Sequence, residues 1–249
     1  MAGVMLALTL AVTVSGAPSA AGATPLPAPS SPASAYLFLD QMMDRYATGP
    51  TLRLVQSFTG GTLQKKGFTG SVTYDDAVVI DALLVRGTPD DLARAETIGD
   101  SLLYVQADDA AHDGRIRAAY APDPLTGPGA VTATDKTADV GNMAWVGQAL
   151  LQIYARTGSP GYLTGATALA QWIQSNTVDT RGSGGYTGGL PARGAKIQWK
   201  STEQNLDVYA LFSLLATEPG GSAWAARAAW AKQFVLSMWA PSQGRFFVG

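Results

Sequence analysis

The feature that most constrains this chain is a repeat. Tyr74-Asp75-Asp76-Ala77 opens an apolar helical stretch running through Ala82-Leu83-Leu84 to Gly87, and Asn142-Met143-Ala144-Trp145 opens another through Ala149-Leu150-Leu151 to Gly158. Glu203-Gln204-Asn205 opens a third, through Ala210-Leu211-Phe212 to Gly220. Each is followed by a second helical pattern (residues 91–106, 162–175 and 223–239) and then by a glycine-bearing, strand-like turn such as Asp113-Gly114-Arg115-Ile116 or Gly184-Gly185-Tyr186-Thr187. The unit is helix, tight turn, helix, longer loop. A lone helical hairpin of this length cannot bury both of its faces, so several must stack.

The first helix of each pair is apolar through its body, whereas the second is amphipathic, with Arg94, Glu96 and Asp100 in one unit and Arg227, Lys232 and Gln233 in another. This difference assigns first helices to an inner ring and second helices to an outer, solvent-facing ring. All inner-helix N-termini then lie at one end, beside the longer loops. Matching Ala82-Leu83-Leu84 to Ala149-Leu150-Leu151 and Ala210-Leu211-Phe212 places Asp75, Asn142 and Glu203 at one equivalent position, converging on a central cavity. The richest of these starts is Lys200-Ser201-Thr202-Glu203-Gln204-Asn205-Leu206-Asp207. Ser201 or Thr202 can cap its helix, and Glu203 suits the positive helix end.

Before the repeat, Val4 to Val14 is an apolar run followed by small residues ending in Ala21-Gly22-Ala23, which reads as an export signal over residues 1–23. No Lys or Arg precedes Arg45, so the usual basic leader start is missing; a misplaced start codon explains that, and a short Ala-rich leader that is not a signal is the lesser alternative. The run is short for a bilayer span. Residues 24–34 are rich in Pro, Ser and Ala and read as a linker, and residues 35–249 as the folded domain. Within it, residues 35–46 carry a helical apolar face, and residues 52–58 alternate as a short strand.

Composition narrows the partners. The net charge of −2, with no run of Lys or Arg, offers nothing for nucleic acid or an anionic membrane surface. The chain has no cysteine, which excludes disulfides, thiol nucleophiles and thiolate metal sites. Asp108, Asp109, His112 and Asp113 sit close in sequence without a second ligand cluster, so no metal is expected. No glycine-rich phosphate loop is recognisable either, because residues 182–189 lack the following Lys-Ser/Thr. No cofactor is expected.

The hairpin repeat, the Tyr74-Asp75-Asp76-Ala77 opening, Gly184-Gly185-Tyr186-Thr187-Gly188-Gly189 and Lys200 to Asp207 together resemble the six-hairpin glycosidase superfamily of (α/α)6 toroids. It looks most like bacterial members with a Ser-Thr-Glu-His-Asn-type run opening one inner helix; here Gln204 stands in place of the His. The resemblance implies an all-α, partial toroid of about three of six hairpins with short β turns between them, cut short after Phe246-Phe247-Val248-Gly249. It also implies a secreted carbohydrate-active enzyme that hydrolyses a glycosidic bond with two carboxylates, its partner an oligo- or polysaccharide. Polysaccharide lyase, sugar epimerase and non-catalytic glycan-binding toroid are the alternatives.

On that reading Glu203 is the acid and Asp75 the base, since they face each other from two inner helices. Asp76 is a possible substitute for Asp75, and Asp207 lies one turn below Glu203, where it orients it or pairs with Lys200. Asn142 is a candidate contact to a sugar hydroxyl, as is Gln204. Trp145 points from an inner helix to the cavity, and Tyr186 and Trp199 lie in loops at its mouth, where an aromatic face can stack on a pyranose. Trp172, Trp224, Trp230 and Trp239 read as packing between the rings.

Overall fold

A computed structural model describes residues 31–249; the expected export signal and most of the linker lie outside the described residues. The first helix, α1 (Pro32–Asp44), starts inside the expected linker. Ser31 forms a capping box with Ser34, and Pro32 takes the first helical position, where a missing N–H costs nothing. Residues 52–58 are extended but form no strand. Their amides donate to unlike partners: Arg53 to Ser101 Oγ (2.9 Å), Leu54 to the Pro122 carbonyl (3.0 Å), Val55 to Asp76 Oδ1 (2.9 Å). A short helix, α2 (Gly61–Lys65), follows.

Three hairpins carry the rest: α3 (Thr73–Arg86) with α4 (Pro89–Asp108), α5 (Val140–Thr157) with α6 (Pro160–Thr177), and α7 (Thr202–Thr217) with α8 (Ser222–Ser237). Within the first two, a left-handed glycine ends the inner helix and a proline starts the outer one. Gly87 (φ 69°) and Gly158 (φ 70°) return their N–H groups to Leu83 and Tyr154. Helices α3, α5 and α7 pack side by side as an inner row, each backed by its own outer partner, and α1 lies against α3 and α4 through Tyr36 Oη to the Ala82 carbonyl (2.8 Å) and Asp44 to Arg94 (2.8 Å). This is the all-α, partial toroid architecture. The helices of the inner row approach closely: a Cβ on Gly147 of α5 would lie 2.8 Å from the Leu211 side chain of α7.

Short strands close the first two hairpins onto themselves, and a small strand pair follows the third. β1 (Ser71–Val72) pairs with β2 (Ala119–Tyr120), which also pairs with β3 (Ala133–Asp135); β4 (Ala138–Asp139) pairs with β5 (Gly189–Leu190); and β6 (Trp239–Ala240) pairs with β7 (Arg245–Phe246). In every unit the loop leaving the outer helix returns to the start of the inner one. There it accepts the first helical N–H: Thr73 to Ala118 (3.0 Å), Val140 to Gly188 (3.2 Å) and Thr202 to Val248 (2.8 Å).

That bond fixes the register between repeats and corrects the alignment expected from sequence. Counted from it, Asp75 is equivalent to Asn142 and Gln204, not to Glu203, which matches Tyr74 and Gly141. The shift arises because Phe212, packed edge-on to Tyr186 (5.5 Å) and against Trp224 (4.9 Å), fills the place held by Leu83 and Leu150. At the next position Asp76 and Asn205 do the same work: Asp76 accepts from Val55 N and Ser71 Oγ (2.7 Å), and Asn205 brackets Tyr186 through N to Oδ1 (2.8 Å) and Nδ2 to O (2.9 Å). Each pins the preceding loop beneath an inner helix. Asn205→Ala leaves buried backbone groups of Tyr186 unpaired and should lower stability by about 1–3 kcal/mol, read from the urea midpoint at constant m-value.

Candidate active site

With the register set, the inner-helix residues facing the ring interior recur at 3.6-residue spacing. The first layer is Tyr74, Gly141 and Glu203; the second is Val78, Trp145 and Asp207; the third is Asp81, Gln148 and Ala210. Tyr74 meets Trp145 edge to face, with centroids 5.0 Å apart. Gly141 lies close to α7: a Cβ there would stand 3.1 Å from Gln204 Cγ.

Electrostatics mark this face as unusual. Burial pushes the Asp207 carboxyl up to about 7, the neighbouring charge of Glu203 adds to the rise, and the Trp145 indole N–H offsets part of it. The Tyr74 phenol is raised by burial and then by the charges of Asp207, Glu203 and Asp75, which places these three acids around one ring. Glu203 itself is exposed, and Asp75 is half-buried with no hydrogen-bond partner among the described residues. Asp81 is pushed up to about 6 by burial alone, and its Oδ1 is buried without a partner. One acid raised to near neutrality beside an exposed and a half-buried acid and two aromatic rings is an arrangement suited to proton transfer on a neutral ligand.

No family model matches the sequence, and no curated protein matches it. Solved structures do. The chain superposes on a D-mannose isomerase (TM-score 0.65, 15% identity, 86% of this chain and 56% of that one) and on a sugar epimerase from a ruminal bacterium (TM-score 0.62, 16% identity, 86% and 55%). A family 76 glycoside hydrolase from a bovine Bacteroides thetaiotaomicron strain matches with a TM-score of 0.53 at 15% identity, over 72% of this chain and 39% of that one. The chain shares the α/α toroid-like fold of these structures. It spans about half the length of the isomerase and epimerase and less of the hydrolase.

Within this toroid fold, several residues singled out from sequence have other duties. Asp76 is fully buried and spent on Val55 and Ser71, one helical step away from the face that Asp75 occupies. Asn142 donates to the Ala118 carbonyl (3.2 Å) and Gln204 Nε2 to Asp139 (3.2 Å), so both amides staple their helix to the start of the preceding hairpin. Tyr186 is 1% exposed, its hydroxyl bound to Gln174 Oε1 (2.8 Å), which removes it from the mouth. Lys200 does not reach Asp207: its ammonium donates to the carbonyls of Arg181 (2.8 Å) and Gly184 (2.9 Å), near Asp179. Trp199 is exposed, its ring leaning on Gly188. Trp172 and Trp224 are buried between layers, whereas Trp239 is 44% exposed against Phe246. In the 108–113 loop, Asp109 pairs with Arg117, and Asp113 with Arg115 and the Trp172 indole (3.0 Å).

Two residues escaped the sequence reading. Asp139 caps α5 by accepting from Asn142 N (3.1 Å) and also holds Gln204; the Asp-x-x-Asn spacing was its only signal. Asp81 hides inside an apolar run, Val78-Val79-Ile80-Asp81-Ala82-Leu83, and looks like a tolerated surface residue. Its raised folded pKa means the protein binds a proton there more tightly than the unfolded chain does. Asp81 therefore costs nothing at the acid end and progressively more as pH climbs from about 3.8 through about 6. Asp81→Asn should accordingly be more stable than the parent at neutral pH by on the order of 1–2 kcal/mol, with the gap closing below pH about 4, as read from paired urea melts.

Proposed function

We propose that this chain is the carbohydrate-active portion of a secreted glycoside hydrolase, acting on a glycosidic bond by a two-carboxylate mechanism. The observation that carries the reading is Asp207, a carboxyl pushed up to about 7 beside Glu203, with Asp75 acting on the same Tyr74 ring. Asp207 takes the role of acid that the sequence suggested for Glu203, because Asp207 is desolvated and Glu203 is exposed. It donates its proton to the leaving glycosidic oxygen as the bond breaks. Glu203 keeps that proton in place by its charge, and Asp75, presented from α3, removes a proton from the attacking water or attacks the sugar carbon itself. The Tyr74 and Trp145 rings offer apolar faces to the pyranose. Similarity to structures named for a glycoside hydrolase, a mannose isomerase and a sugar epimerase supports sugars as the ligand class.

Turnover on a panel of plant and bacterial glycans tests this. Asp207→Asn and Asp75→Asn should each lower kcat by about 10²–10⁴-fold, and the wild-type rate should fall as pH rises through about 7, where Asp207 loses its proton. Undiminished turnover in both variants sinks the two-carboxylate assignment. A second reading, isomerisation or epimerisation of a free sugar, is favoured by the higher TM-scores of the isomerase and epimerase. It predicts a product of unchanged mass from a monosaccharide, which mass spectrometry separates from hydrolysis. Export is tested by sequencing the N-terminus of protein recovered from the culture medium, where cleavage after Ala23 is expected.

A further inference from the structure

Trp145, on α5, stands between the two inner helices that carry Asp75 and Asp207. Its ring meets Tyr74 of α3 edge to face, with centroids 5.0 Å apart and planes at 62°, and its indole N–H is hydrogen-bonded to the Asp207 carboxyl of α7. One turn further along α5, Gln148 Nε2 donates to the Asp207 carbonyl (3.3 Å) and to the Ala144 carbonyl (3.2 Å). Between the two, Gly147 keeps the helices close, since a Cβ there would lie 2.8 Å from the Leu211 side chain. Backbone and side chain of Asp207 are therefore both held from α5.

The other donors nearby are committed elsewhere. Gln148 Nε2 is spent on the two carbonyls, Gln204 Nε2 on Asp139 (3.2 Å), and Lys200 Nζ on the carbonyls of Arg181 (2.8 Å) and Gly184 (2.9 Å). On α8, which backs α7, Lys232 sits over the Tyr209 ring (6.0 Å) and Arg227 over the Trp224 ring (4.3 Å). The charges that act on Asp207 are acidic: Glu203 on its own helix and Asp139 at the start of α5, while α3 carries Asp75 beside Tyr74. Among the described residues the Trp145 indole is thus the side chain that favours the ionised form of Asp207 by a hydrogen bond.

An indole N–H donates and cannot accept. The carboxyl oxygen it engages must be the one without a proton, because two donors aimed at each other repel. When Asp207 is protonated, its O–H is confined to the other oxygen. The Tyr74 contact steadies the indole from the α3 side, so one ring transmits orientation across the row.

We infer that Trp145 is a positioning residue: its N–H engages one oxygen of Asp207 and so holds the transferable proton on the other. Its value for catalysis rests on the two-carboxylate reading, whereas the hold on Asp207 can be measured without turnover.

Nitrogen–proton NMR of the purified chain over about pH 5 to 9 makes the first measurement. The Trp145 indole signal, recognised among the six tryptophans by its contact with the Tyr74 ring, should shift through a transition near pH 7 and lose it in Asp207→Asn. Trp145→Phe keeps a ring against Tyr74 and removes the donor. In that variant, carbon NMR of the Asp207 carboxyl should show the midpoint raised by about one pH unit, because the ionised form loses its hydrogen bond. On a glycan that is turned over, Trp145→Phe should lower kcat about tenfold at unchanged KM and move the alkaline limb of the rate up by the same interval. A packing role alone leaves the midpoint and the limb in place. An indole signal that does not follow Asp207 in the parent chain, or an Asp207 midpoint unmoved or lowered in Trp145→Phe, overturns the inference. If both NMR results hold and no glycan is turned over, the hydrolase reading falls alone and the hold of Trp145 on Asp207 is upheld.

Discussion

The structure depends on one hydrogen bond made three times, from the first helical N–H of each inner helix to the loop leaving its own outer helix. Helix N-termini leave their first amides without intrahelical partners, so each hairpin begins with an unmet donor. Meeting it with a carbonyl from the far end of the same unit (Ala118, Gly188 or Val248) ties both ends of the hairpin together and brings all the long loops to one face. The bond also demands close backbone approach. At Gly189 (φ 115°) a Cβ would stand 2.1 Å from the Ala138 carbonyl oxygen, so only glycine fits the position after the acceptor in that unit.

Once the helix starts are level, side-chain roles follow from angle. Residues one step past the rim turn towards the loops and must satisfy backbone there, as Asp76 and Asn205 do. Residues facing the neighbouring hairpin staple it, as Asn142 and Gln204 do. Asp75 holds the stapling position on α3, where no earlier inner helix among the described residues offers a partner, and so its carboxylate stays free. The freedom of Asp75 is thus a consequence of its place at the beginning of the row.

Much of this was legible in the sequence and some of it could not be. Hairpin order, inner and outer assignment and the placing of polar starts at one end all follow from periodicity and glycine punctuation, because burial of an apolar stripe dictates them. Register between repeats did not follow. Aligning Leu211 with Leu150 looked natural, but the position is set by volume in a pocket shared with Tyr186 and Trp224, and Phe212 fills it. The one-residue error exchanged Glu203 for Gln204 and hid the partnership of Asp207 with Trp145. Tyr186 misled for a related reason: glycine-flanked aromatics look like loop residues, yet Gly185 is there because a Cβ would stand 2.7 Å from Asn205 Oδ1, drawing the loop down into the core.

The three inner helices also differ in the face each turns away from the preceding one. The faces by which α3 and α5 receive the next inner helix are Ala77, Ile80 and Leu84 and then Ala144, Gly147 and Leu151, all buried and mostly small near the rim. On α7 the same positions are Leu206, Tyr209 and Ser213, and Leu206 is 52% exposed. A leucine where the other two helices carry alanine widens any approach to α7 at the level of Glu203 and Asp207. The acid pair sits beside this face of α7, whereas Trp145 is carried by α5, which α3 and α7 pack from either side. Desolvation is consequently graded across the inner face, with Glu203 exposed at its wet edge and the Asp207 carboxyl, just inside, pushed up to about 7 by burial. Two carboxyls on successive turns of one helix thus meet different degrees of burial, with no Lys, Arg or His at the interior-facing positions of the three inner helices.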